Sequence, residues 1–162
     1  MKDVTLVSVN WKQPEAIQLM LKSYLAEHYK GEKLNCIVFD NESTPESRDW
    51  FYANHIDLHC DEKNIGHENA INAIWELIDT KYALLADSDI RFTDSIEPYL
   101  ELLKGNCIAV GEQVGELNAA WGTIKPRLGA WLILFDIEKC REAGINIFRD
   151  PTVTDQLHDR AT

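Results

Sequence analysis

At 162 residues with 45% hydrophobic content, the chain can bury one substantial core, which predicts a single domain over 1–162 and argues against a second. With 16 basic and 27 acidic residues the formal net charge is −11, a field that repels nucleic acid and anionic membrane, and no Lys/Arg cluster offsets it. No apolar run reaches secretory or membrane-spanning length, so the chain reads as a cytoplasmic protein without a transmembrane segment.

Val4 to Val9 is an apolar run of strand length. Pro14 then marks a helix start, and Ile17, Met20, Leu21, Tyr24 and Leu25 recur at the spacing of one helical face. Asn35 to Asp40 reads as a second strand, ending in the turn-forming run Asn41-Glu42-Ser43-Thr44-Pro45. A weaker strand over 56–60 leads into Asp61-Glu62-Lys63-Asn64-Ile65-Gly66 and a helix with Ile71, Ile74, Trp75 and Ile78 on one face. Tyr82 to Ala86 is almost wholly apolar, as a parallel strand covered on both faces should be. Thr93 or Asp94 can cap a helix carrying Ile96, Tyr99, Leu100 and Leu103, after which Cys107 to Val110 reads as a strand. The span 111–127 has no sustained period and reads as loop. A last strand over 129–135 and a short helix over 137–143 precede a polar tail. Alternating strands and helices predict an α/β fold around a mostly parallel sheet flanked by helices.

Cys36, Cys60, Cys107 and Cys140 form no Cys-x-x-Cys pair and no zinc-type Cys/His group, and are expected to be buried thiols in a reducing compartment. Asp87-Ser88-Asp89 follows the most apolar strand directly, at the edge where open α/β sheets bind ligands. Carboxylates at i and i+2 suit Mn2+ or Mg2+, which take carboxylate, water and phosphate oxygens. In a chain this acidic the triplet alone equally fits a solvated turn.

Four landmarks in order resolve that ambiguity. They are Ser8-Val9-Asn10-Trp11, Val38-Phe39-Asp40-Asn41-Glu42-Ser43, Asn64-x-Gly66-x-x-x-Ala70-x-Asn72 and Asp87-Ser88-Asp89. Together they resemble glycosyltransferase family two, the inverting, nucleotide-sugar-dependent enzymes of GT-A (Rossmann-like) fold, from Val4 to about Asp159. The resemblance implies a nucleotide-binding half over 1–92 and an incomplete acceptor-side half over 93–162. It implies transfer of a sugar from a nucleoside-diphosphate sugar, UDP-linked first and GDP-linked second, to a sugar, lipid or protein acceptor hydroxyl. Asp40 would accept a hydrogen bond from the base, with Ser8 and Asn10 lining the base and ribose pocket; the alternative for Asp40 is a turn cap closing onto Ser43. Asp61 would help hold the nucleoside or act only as a helix-leading acid. Asn64 and Gly66 would shape the turn beside the donor, and Asn72 would brace a loop through its side chain. In the family Asp89 ligates the cation directly, while Asp87 contacts the ribose or the cation through water and Ser88 lies between them. Asp155, in Val153-Thr154-Asp155-Gln156, is the candidate general base, although Thr154 stands where the family usually has an acid.

Three further side chains stay open between ligand and structural roles: His67 at a helix start, Trp121 and Arg127. Trp75 and Trp131 are expected in the core. Two rival functions remain. One is a noncatalytic nucleotide-sugar-binding module; the other is a haloacid-dehalogenase-like phosphohydrolase, against which the mid-chain position of the triplet and the following Ile90-Arg91 argue.

Overall fold

The computed structural model describes residues 3–28, 35–114, 118–119, 122–123 and 127–145. The chain runs β1 (Val4–Asn10), α1 (Pro14–His28), β2 (Cys36–Asn41), α2 (Pro45–Ala53), β3 (Asp57–Asp61), α3 (His67–Trp75) and β4 (Tyr82–Ala86). It continues through α4 (Glu97–Leu103), β5 (Ala109–Val114), β6 (Asn118–Ala119), β7 (Gly122–Thr123), β8 (Arg127–Asp136) and α5 (Ile137–Glu142).

Six strands form one sheet in the order β3-β2-β1-β4-β8-β5. The first four pair in parallel, whereas β8 runs antiparallel to both β4 and β5. The α/β fold with a mostly parallel core is therefore as the sequence predicts. From β1 the chain winds outward through β2 to β3, then returns across β1 to β4. That reversal opens a crevice at the carboxyl ends of β1 and β4.

Strand alternation divides the core into two layers. Leu6, Val38, Leu84 and Leu134 face α1, α2 and α4, packing with Met20, Leu21, Tyr24, Phe51 and Leu103. Val7, Val9, Phe39, Leu85 and Phe135 face the other way, onto Ile71, Ile74 and Trp75 of α3 and Ile137 and Cys140 of α5. Burial on both faces explains why β4 reads as an unbroken apolar run and β1 and β2 as largely apolar ones.

Several expectations need correction. Pro45 does not only close a turn; it sits in the first turn of α2, a position that needs no backbone N–H, and among the helix's described residues only Phe51 is fully buried, with Trp50 packed partly against the core. Two adjacent anchors give no periodic signal. Helix α3 ends at Trp75, so Ile78 is buried from the turn beyond it. The cap of α4 is Ile96, without a side-chain bond, rather than Thr93 or Asp94; Asp94 instead accepts the Ser95 amide.

The span read as loop contains the end of β5, the β6–β7 hairpin and the start of β8. Gly111 lies so close to its neighbour that a Cβ there would come within 2.9 Å of the Leu132 carbonyl oxygen. The β5–β8 register also shifts between Gly111 and Gln113, an irregularity that hides strand alternation from a sequence reading. Cys36 and Cys140 are buried as expected, but Cys60, on the sheet-edge strand β3, and Cys107, ahead of β5, are exposed. Trp131 is 38% exposed rather than core; its ring lies over Gly129 and its indole N–H donates to Glu112 at 3.1 Å.

Candidate functional site

Parity decides which side chains meet at the carboxyl edge. Asn10 and Asp40 are register partners on the face covered by α1 and α2. Val9 and Asn41, one residue away from each, belong to the opposite face and line a cleft of about 490 Å³. Asn64 and Gly66, from the turn entering α3, bound it on one side, and Asp87, Ser88 and Asp89 bound it on another. Trp11, 51% exposed, stands at its edge.

The turn before α3 is held by an asparagine clasp. Asn41 Nδ2 donates to Asn64 Oδ1 at 2.7 Å, while Asn41 Oδ1 accepts the Ile65 amide at 2.8 Å. Asn64 Oδ1 also accepts the Gly66 amide at 2.8 Å. Gly66 has φ +84° and ψ 157°, a conformation almost closed to residues with a Cβ, although a Cβ there would meet open space. Backbone shape, not crowding, therefore requires glycine. Asn72 Oδ1 is buried without a partner, and the clasp holds the turn before α3.

Under the opposite face lies a buried polar cluster. Asp40 is fully buried; its Oδ1 accepts from Asn10 Nδ2 at 2.8 Å and its Oδ2 from Arg48 Nε at 2.6 Å. Asn10 Nδ2 also donates to Ser43 Oγ, which accepts the Lys12 amide as well. The bonds to Asp40 thus come from Asn10 and Arg48, not from Ser43. The Arg48 guanidinium reaches the Asp61 carbonyl at 3.3 Å, and its hydrogen bond to Asp40 holds its pKa above the ordinary range. Asn10 Oδ1 and Ser8 Oγ are buried without partners. Ser8, Asn10, Asp40 and Asp61 therefore gather beside the cleft but do not line it, while Asn64, Gly66, Asp87, Ser88 and Asp89 do.

The Asp87 amide donates to the Trp131 carbonyl at 2.9 Å, extending the β4–β8 ladder by one residue and fixing the start of the triplet. Burial pushes the Asp87 carboxyl above its usual pKa; His67, with Nε2 at 4.0 Å, opposes the rise, and the Asp89 charge adds to it. Asp155 and Trp121 lie outside the described residues. Sequence reasoning did not single out Gln13 in the cleft, and reached Trp11 and Asn41 only as motif members; strand parity after β1 and β2 is the signal that finds Asn41.

Two carboxylates suit a divalent cation that completes its shell with phosphate and water oxygens, so the donor set fits Mn2+ or Mg2+. Among the described residues no three His, Cys, Asp or Glu side chains gather to hold a metal by themselves.

A parallel-cored sheet with its cleft at the switch point and a carboxylate pair on one wall defines the GT-A class of fold. The chain belongs to glycosyl transferase family 2, whose profile matches residues 5–158. In fold it is similar to the mannosyltransferase PcManGT from Pyrobaculum calidifontis in complex with GDP-Man and Mn2+ (TM-score 0.66, 17% identity, covering 88% of this chain and 46% of that one). It is also similar to S. aureus TarS 1-349 in complex with UDP-GlcNAc (TM-score 0.62, 14% identity, 88% and 48%). A third similar structure is the galactosyltransferase LgtC in complex with donor and acceptor sugar analogs (TM-score 0.61, 16% identity, 85% and 59%). The chain spans about half the length of these structures. No curated protein matches it. Among the described residues no helix is long and apolar enough to cross a membrane.

Proposed function

We propose that the cleft binds a nucleoside-diphosphate sugar, UDP-linked first and GDP-linked second, and that the protein transfers the sugar to an acceptor hydroxyl with inversion. The observation that carries this reading is the meeting of Asp87-Ser88-Asp89 with Asn64 and Gly66 on one cleft at the sheet's carboxyl edge. Trp11 offers an exposed ring against which the base stacks. Ser8, Asn10 and Asp40, buried beneath the sheet edge, support the base side from behind the cleft wall, and Asp61 supports it from the β3 side. Residues 1–92 form the nucleotide-binding half and 93–162 the acceptor side.

Asp89 would hold Mn2+ or Mg2+, with Asp87 turned to the ribose or to the ion through water. The ion, when bound, would supply Lewis-acid neutralisation of the charge left on the departing nucleoside diphosphate. In the transfer the acceptor oxygen forms a bond to the anomeric carbon as the bond to the diphosphate oxygen breaks. Asp155 takes the acceptor's proton. The Asn41–Asn64 clasp holds the turn before α3, so donor binding need not order it.

The test is NMR of a donor panel in Mn2+ with candidate acceptors. The expected outcome is nucleoside-diphosphate release and a product of inverted anomeric configuration, with turnover lowered at least about 100-fold in Asp155→Asn. Donor binding with no turnover across the panel would instead identify a binding module.

A further inference from the structure

We propose that His67 is a ligand-contacting residue whose imidazole hydrogen-bonds the donor's diphosphate. The inference rests on the donor reading above and goes beyond it by assigning the side chain that meets the phosphates.

Charge balance poses the problem. Asp87 and Asp89 bring two negative charges to the cleft, so one divalent cation only cancels them and leaves the diphosphate's own charge unmatched. Nor does the protein as a whole help, with its net charge of −11. Among the described residues lining the cleft none is Lys or Arg, and His67 is the one basic side chain.

Geometry places His67 where that deficit arises. It is the first residue of α3, directly after Gly66, so the clasp and the unusual Gly66 backbone set its position. Its Nε2 lies 4.0 Å from Asp87 Oδ1, beyond hydrogen-bond distance, and the two side chains are 48% and 35% exposed. Each is therefore close enough to share a ligand and free enough to turn toward it. With Asp87 engaged by ribose or cation, the imidazole N–H is left to donate to a phosphate oxygen of the same ligand. A hydrogen bond to a charged group is among the stronger ones, and its loss weakens binding by about an order of magnitude.

The experiment is NMR titration of the full chain in Mn2+ with UDP and GDP and, separately, with uridine and guanosine. His67→Ala should weaken the better diphosphate about tenfold and leave its nucleoside within about twofold, and His67→Gln, which keeps an N–H donor, should recover part of the loss. Unchanged diphosphate binding in His67→Ala overturns the inference while leaving the donor reading standing. An equal loss of nucleoside binding also overturns it, as does loss of Mn2+ binding without nucleotide, which would make His67 a metal ligand. Failure of the wild-type chain to bind either diphosphate overturns the inference and the donor reading together.

Discussion

Asp40 shows how a motif residue can be held in place by a partner that the motif does not contain. Its carboxylate is fully buried, and Arg48, from the first half of α2, supplies the only charge that balances it at contact distance among the described residues. Removing one partner of a buried pair leaves a stranded charge, and that penalty exceeds what the pair itself contributes. Arg48→Met should therefore destabilise the fold by about 3 kcal/mol in urea unfolding, whereas loss of an ordinary surface ion pair costs about 1 kcal/mol or less. A loss at the surface value would mean that water replaces the guanidinium. None of this was legible in the sequence. Asp40 stands out by its position at a strand end, but its partner sits on a helix whose adjacent core contacts, Trp50 and Phe51, give no periodicity. Residue type found the carboxylate, and only three-dimensional placement finds its counter-charge.

Helices α1 and α4 are joined by a similarly hidden contact. His28, the last residue of α1, is 5% exposed; its Nδ1 lies 2.8 Å from the Tyr24 carbonyl oxygen, and its Nε2 accepts the Ile96 amide at 2.9 Å. Only the neutral ring protonated at Nδ1 makes both bonds. The Phe92 amide donates to Ser23 Oγ, so the segment leaving Asp89 is tied to α1 at two points. Burial lowers the His28 pKa, and the Tyr24 carbonyl and the charges of Glu27 and Glu97 oppose the shift. A histidine with a depressed native pKa contributes stability above its unfolded value of about 6.5, and that contribution is lost as pH falls below it toward the native value. Wild-type melting temperature should thus fall between about pH 6.5 and 5 more steeply than that of His28→Gln; parallel slopes would remove His28 as the cause. At this scale, elements with a full apolar face or a largely apolar run were legible: α1, β1, β2 and β4. The cap of α4 was not, because a backbone amide bonded to a histidine 68 residues earlier leaves no local signature.

Across the whole molecule, the order β3-β2-β1-β4 sets the functional geometry, since it brings the ends of β1 and β4 together at the switch point. The sequence made the strand types and the Asp87-Ser88-Asp89 triplet readable, and the alternation of elements made the parallel core readable. Sheet face was harder. A one-residue difference in parity separates Asp40, bonded beneath the sheet, from Asn41, which lines the cleft, and the motif treats the two as neighbours. The antiparallel β8 was visible as a strand but not as the neighbour whose Trp131 carbonyl holds the Asp87 amide. On the proposed reading, the acidic whole and the two-carboxylate cleft call for a divalent cation to accompany a polyanionic donor. Calorimetric titration with UDP and GDP, with and without Mn2+, tests that demand directly. At least one diphosphate should bind, need Mn2+ to do so and fail to bind Asp89→Ala; no Mn2+-dependent binding of either, or unchanged binding in Asp89→Ala, would contradict a metal-assisted donor site.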